Sequence, residues 1–221
     1  LESVSRANAT VSSSTSVTSV GDATVSASAF SGSEQIWLKG NSNTTDVTGI
    51  AATQTLGFSG VTSMANAATF GATVTSGNVA VIASGGTLTT SGAAMTSLNI
   101  SGASTAGTAG LVLADATTLK VLTALNVATS GSTYVNASGL STLKTITSTG
   151  AGALVVKGSS ANTTITTGAG ADRLTISTGT VKDNEATSTD ETVSAVLSSG
   201  AGNDTVKVAT TGTGTTTVDT G

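Results

Sequence analysis

The chain has 221 residues, 9% of them charged, with a net charge of −4 and only 2% aromatics. So few Lys and Arg on an acidic balance exclude a nucleic-acid-binding surface, and the lack of a continuous apolar run of roughly 18 residues excludes a membrane-spanning helix. There is no His and no Cys, which removes the commonest general base, the commonest imidazole ligand and any disulfide.

What remains predicts strands. Thr and Ser make up roughly a third of the chain and favour strands and turns, while good helix formers are scarce. In chain order the candidate strands are "ATVSASAF" (Ala23–Phe30), "EQIWLKG" (Glu34–Gly40), "DVTGI" (Asp46–Ile50), "QTLGFSG" (Gln54–Gly60), "NVAVIAS" (Asn78–Ser84), "GTLTTSG" (Gly86–Gly92) and "SLNISG" (Ser97–Gly102). Further on, apolar patches centre near Val135, Ile146, Val155, Ile165 and Ile176, with "NASG", "STGAG" and "KGSSAN" between them. Short strands at such even spacing suggest a sandwich, a barrel or a solenoid. Small core residues, regular spacing and the absence of Pro favour an all-β parallel β-solenoid, a β-helix or β-roll with short rungs, two strands and about 20 residues to a coil. A pair of β-sandwiches is the alternative.

Near the C-terminus one pattern occurs twice, "TTGAGADRLTIS" from Thr166 and "SSGAGNDTVKVA" from Ser198. Each reads Gly-x-Gly-x-Asp-x-aliphatic: Gly168, Gly170, Asp172, Leu174, then Gly200, Gly202, Asp204, Val206. This matches most of the calcium nonapeptide repeat G-G-x-G-x-D-x-U-x, with Thr167 and Ser199 in place of its first Gly. Glycines allow a tight turn that aims backbone carbonyls at one point, Asp adds a hard anionic oxygen suited to Ca2+, and the aliphatic residue starts an inward-facing strand. Gly168, Gly170, Asp172, Gly200, Gly202 and Asp204 are therefore the candidate metal site. The other reading makes both Asp residues acceptors of backbone hydrogen bonds in Asx-turns between rungs.

Spacing supports a roll. Two nonapeptides make 18 residues, whereas Gly168 and Gly200 lie 32 apart, an excess of 14. The segment "TGTVKDNEATSTDE", Thr178 to Glu191, is polar and restores the register if it leaves as a surface loop. Its Asp183, Glu185, Asp190 and Glu191 are either extra ligands or a solvated loop. Residues 1–162 then form a solenoid of small aliphatic rungs, and residues 163–221 continue it as a calcium-binding stretch cut short at its C-terminal end. The chain opens at Leu1 without Met or a leader segment, and Thr220-Gly221 starts the motif again. It reads as a piece of a longer protein.

The GAGADRLTI and GAGNDTVKV pair, phrases such as "LADATTLKVL" (Leu113–Leu122) and "LNISG" (Leu98–Gly102), and the Thr/Ala/Val/Gly/Ser texture resemble the Gram-negative RTX-type surface-layer proteins, such as those of Caulobacter and Campylobacter. The resemblance implies export by type I secretion, Ca2+ binding outside the cell, and self-assembly with copies of itself into a two-dimensional lattice at the cell surface. Such lattices are anchored to lipopolysaccharide, here through regions outside this chain. A secreted RTX-type adhesin that binds a host or glycan surface without forming a lattice is the alternative function. No enzyme is expected: Asp22, Asp46 and Asp115 are isolated in sequence, and Trp37, between Ile36 and Leu38, reads as core or interface rather than a sugar platform. "TLTT" (Thr87–Thr90), "TITT" (Thr164–Thr167) and "TTTV" (Thr215–Val218) loosely fit an ice-binding ladder, but the threonines show no fixed rung period in the sequence.

Overall fold

The computed structural model describes residues 4–5, 14–19, 23–30, 32–40, 44–61, 64–104, 111–114, 119, 121–136, 140, 142–157, 163–181, 191–192, 195–211 and 215–221. The chain passes alternately through two sheets. In spatial order the eleven strands of the first are Val4–Ser5, Ser14–Ser19, Gln35–Lys39, Thr55–Ser59, Ser76–Ser84, Ser97–Ser104, Ala124–Thr129, Thr145–Ser148, Thr164–Thr166, Ala195–Ser198 and Thr216–Asp219. The ten of the second include Ala23–Ser26, Thr45–Ile50, Met64–Phe70, Gly86–Ser91, Leu111–Ala114, Thr133–Asn136, Leu154–Lys157, Arg173–Val181 and Thr205–Thr211. All pairings are parallel except Val4–Ser5 on Ser14–Ser19 and the short Glu191–Thr192 on Arg173–Val181. Parallel pairing from coil to coil is a solenoid and not a sandwich, whose strands pair antiparallel. Among the described residues, helix is limited to the single turn Ala27–Ala29.

The period of two selects the core. In Gln35–Lys39 only Ile36 and Leu38 are buried, and neighbouring coils repeat the phase. Register then stacks like on like: Ile36, Leu56, Val79, Ile100 and Val127 form one column, and Leu98, Leu125, Ile146, Ile165 and Leu197 another. In the second sheet Leu113, Val135, Val156, Leu174 and Val206 align. Columns of β-branched and leucyl side chains at rung spacing explain why so few aromatics suffice. Where larger groups enter, a glycine makes room: a Cβ on Gly77 would meet the Met95 sulfur at 2.7 Å and the Phe70 ring at 2.9 Å. These columns cross the 162/163 boundary without a break, Ile146 over Ile165 and Val156 near Leu174.

Polar groups tie the coils together. Asn126 Nδ2 donates to Asn99 Oδ1 at 2.8 Å, and Asn99 Nδ2 to Asn78 Oδ1 at 3.0 Å, an amide ladder on the outer face of the first sheet. Thr96 and Thr123 each donate a hydroxyl proton at 3.1 Å to the carbonyl of Thr75 and Thr96, one coil back. Buried Gln54 accepts from the Ala51 amide at 2.9 Å and donates towards the Ala27 and Phe30 carbonyls at 3.4 Å, clamping a corner to the coil before it.

One expectation is corrected. Trp37 is not core: its strand phase turns it outwards, half-buried, with its ring over Gly57. Threonines do stack, Thr145 on Thr164 and Thr147 on Thr166. The coils differ in length, Gln35 sitting opposite Thr55 but Ser97 opposite Ala124. Unequal coils explain why the threonines keep no fixed period in the sequence, and the two stacks last one coil step, with Val196 and Ser198 next in their columns.

Candidate metal centre

The two motifs lie on neighbouring coils at one corner, and a third turn lies beneath them. Gly150-Ala151-Gly152, which the sequence offered only as part of a loop cluster, stacks under Gly168–Gly170, which stacks under Gly200–Gly202. A Cβ on Gly168 would come within 2.5 Å of the Gly150 carbonyl oxygen, and one on Gly170 within 2.6 Å of that of Gly152. A Cβ on Gly200 or Gly202 would land on the Gly168 or Gly170 oxygen. The obstacle is backbone in every case, so the close approach of the turns is what demands glycine. Left-handed backbone is the lesser reason: only Gly200 (φ 69) and Gly202 (φ 143) of these four have positive φ. The turns are also hydrogen-bonded to one another, the Ala201 amide donating to the Gly168 carbonyl at 3.1 Å. Gly221 extends the column, since a Cβ there would land on the Gly200 oxygen.

The strand register confirms the excess between the motifs. Val155 faces Arg173, a step of 18, whereas Arg173 faces Thr205 and Thr164 faces Val196, steps of 32. The insertion does not begin at Thr178, however, because Thr178 and Gly179 still pair in the parallel sheet. Arg173–Val181 runs on beside Thr205–Thr211, with Thr178 opposite Thr210, and Val181 then pairs with Glu191 in an antiparallel clasp. Asp183, Glu185 and Asp190 lie outside the described residues.

Asp172 and Asp204 occupy one column, immediately before the paired Arg173 and Thr205, and Leu154 holds the same place on the coil below. Each carboxylate reaches back one coil. The Leu154 amide donates to Asp172 Oδ1 at 2.6 Å, and the Asp172 amide donates to Asp204 Oδ1 at 2.9 Å. Backbone bonding by both Asp residues is therefore real, but it crosses coils and does not close an Asx-turn within one motif. It also uses only one oxygen of each. Oδ2 of Asp172 and Oδ2 of Asp204 are buried without a hydrogen-bond partner, as is Ser199 Oγ.

Asp172 is fully buried and Asp204 half-buried. Burial pushes the Asp172 carboxyl above its ordinary value; the Leu154 amide opposes that, and the neighbouring Asp204 charge adds to it. The Thr167 hydroxyl proton goes to the Ser199 carbonyl at 2.7 Å. Next to the carboxylates the core column itself turns polar, with Ser148, Thr167 and Ser199 buried where earlier coils carry Val127 and Ile100.

The corner thus presents orphaned, buried carboxylate and hydroxyl oxygens beside closely stacked backbone turns. An all-oxygen donor set with two negative charges fits a hard divalent cation such as Ca2+, which takes carboxylate and carbonyl ligands in irregular geometry. Among the described residues no cluster of three or more His, Cys, Asp or Glu exists. Any ion here would rest on the two Asp side chains and complete its shell with carbonyls, hydroxyls or water.

Elsewhere, a cleft of about 500 Å³ lies at the opposite end of the chain, lined by Ser28, Glu34, Thr53 and Gln54 among others. Among the described residues no helix is long and apolar enough to cross a membrane. The chain matches no protein-family model, no curated protein and no solved structure.

Proposed function

We propose that this chain is a structural segment of a secreted, RTX-type surface-layer protein, stiffened by Ca2+ and partnered by copies of itself in a cell-surface lattice. The observation that carries the reading is the stacked carboxylate pair, Asp204 over Asp172, each with a buried oxygen left unpaired. Two like charges one coil apart in a desolvated corner repel, and a divalent cation converts that repulsion into a clamp between coils. The solenoid supports the reading because its outer strand positions are largely Ser, Thr and Asn, with few charges to hold copies apart.

In this reading calcium is the assembly switch. The corner stays loose where calcium is scarce and locks outside the cell, where assembly is wanted. Electron microscopy of the protein with millimolar Ca2+ or with EDTA tests it. Ordered sheets are expected only with calcium, together with a melting temperature that EDTA lowers and a response that Asp204→Asn blunts. At a free ion concentration a hundredfold above Kd the stabilisation is about 2.7 kcal/mol, or roughly 5–10 °C for a chain of this size. Dispersed monomers that bind a host or glycan surface, with or without calcium, would support an adhesin instead.

A further inference from the structure

We propose that Trp37 and the neutral side chains beside it form a binding strip for an uncharged polysaccharide on the outer face of the first sheet. The inference is independent of the calcium corner and rests on how the indole is held. Ile36 and Leu38 are buried, so the alternation turns Trp37 away from the core. A Cβ on Gly57, the facing residue of the next coil, would strike the indole at Cδ2, Cε3 and Cε2 together. Those atoms surround the ring fusion, so the ring covers Gly57 with its face and not its edge. Its opposite face is turned away from the sheet. Trp37 Nε1 donates to Gln35 Oε1 at 2.8 Å, which fixes the ring's rotation. The platform is preorganised, and a ligand meets little ordering cost there.

The surroundings select the ligand. Along the solenoid axis the Trp37 position continues as Gly57, Ala80, Ser101 and Ala128, so no bulky side chain rises beside the ring. The adjacent column is Gln35, Thr55, Asn78, Asn99 and Asn126, neutral throughout, its amides held in line by the ladder already described. Among the described residues, the formal charges flanking Trp37 in the chain are Glu34 and Lys39, exposed at opposite ends of its strand and opposite in sign. A sugar ring matches this arrangement, with one apolar C–H face for the indole and a rim of hydroxyls for amides and hydroxyls. Rungs about 4.8 Å apart repeat those polar groups at intervals comparable with the advance of an extended glycan per sugar. A protein partner fits less well. The one large aliphatic exposed on this face near the ring is Ile82, 51% accessible, and the pair falls far short of the roughly 800 Å² per partner of a stable interface.

The chain has one Trp, so indole fluorescence reads this site alone. Dextran, mannan and cellohexaose are titrated into the protein, with acrylamide quenching and affinity electrophoresis in the same polysaccharides. At least one of them is expected to shift the emission to the blue, to lower quenching about twofold in a saturable way, and to retard migration. Trp37→Ala should abolish the retardation while leaving circular dichroism unchanged. Gly57→Ala keeps the indole but tips it off the sheet, and should weaken binding about tenfold; Ile82→Ala should not. No response to any of the three glycans, or equal retardation of the Trp37→Ala variant, overturns the proposal. Protection of Trp37 that follows protein concentration alone also overturns it, and makes this face a contact between copies.

Discussion

Gly200→Ala isolates what holds the corner together. Two separable costs meet at this residue. Its φ of 69 lies in the left-handed region, and its Cβ would land on the Gly168 carbonyl oxygen, with the Thr167 oxygen 2.6 Å away. The first costs about 1–2 kcal/mol for a residue with a Cβ. The second cannot be relieved by a rotamer, because the obstacle is backbone. Restoring ordinary contact needs the two turns to part by about an ångström, which stretches the Ala201–Gly168 hydrogen bond from 3.1 Å past useful length. Losing that bond costs about 0.5–1.5 kcal/mol, and overpacking strain about 1–3 kcal/mol.

The expected loss is therefore about 3–5 kcal/mol, or roughly 6–20 °C in melting temperature for a chain of this size. Two controls divide it. Gly40→Ala meets only the backbone cost, since Gly40 has φ 58 and nothing within 4 Å of its Cβ. Gly168→Ala meets only the contact cost, 2.5 Å from the Gly150 oxygen without a positive φ. Urea and thermal melts by circular dichroism read all three. If Gly200→Ala costs no more than Gly40→Ala, the turns are not in contact and the stacked corner is wrong.

Two further outcomes follow from burial. Asp172 holds its proton more tightly folded than unfolded, its carboxyl being raised from 3.8 by burial first of all, so between 3.8 and the folded value the native state carries more protons. Metal-free stability must then fall as pH rises through that window and level off above it; urea midpoints in EDTA should trace this, and Asp172→Asn, which keeps an acceptor for the Leu154 amide, should flatten the difference. In the core, Phe58→Ala should cost about 3–5 kcal/mol because the ring is fully buried, whereas Ile82→Ala, 51% exposed, should stay within about 0.5 kcal/mol; equal losses on denaturant melts would mean the strand phase is reversed.

The solenoid was legible because alternation and strand spacing are local. Ile36 and Leu38 announce their strand without help from other coils, and the step of 18 needs only the two motifs and one insertion. Register was not legible in the first half, where coil lengths vary and only cross-coil pairing shows that Asn78, Asn99 and Asn126 share a column. The core half of the Trp37 reading failed because flanking apolar residues suggest burial, while phase decides it. The lowest turn, Gly150–Gly152, went unnoticed because Leu154 stands where Asp172 and Asp204 stand above it. Nor does the sequence reveal which carboxylate oxygen stays unpaired, because that depends on which coil's amide each Asp reaches.

Following one column up the solenoid shows why the charged corner lies where it does. In the first sheet it reads Leu38, Phe58, Val81, Gly102 and Thr129, and then continues through the stacked Gly150, Gly168, Gly200 and Gly221. From Gly150 onwards the turn occupies the space a side chain had filled, and only glycine fits. Each aliphatic given up forgoes about 1.5–3 kcal/mol of burial. The neighbouring column trades Val127 for Ser148, Thr167 and Ser199 in the same coils, thinning the apolar layer further. These coils have given up buried aliphatics, and they carry two carboxylates whose burial costs more still. On the proposed reading, a bound ion contributes about 2.7 kcal/mol at a hundredfold excess over Kd, the same size as one missing aliphatic layer. Stability in a stack of repeats is a sum over neighbouring contacts. On that reading, the coils that lack a hydrophobic contact are the ones whose folding an ion would control.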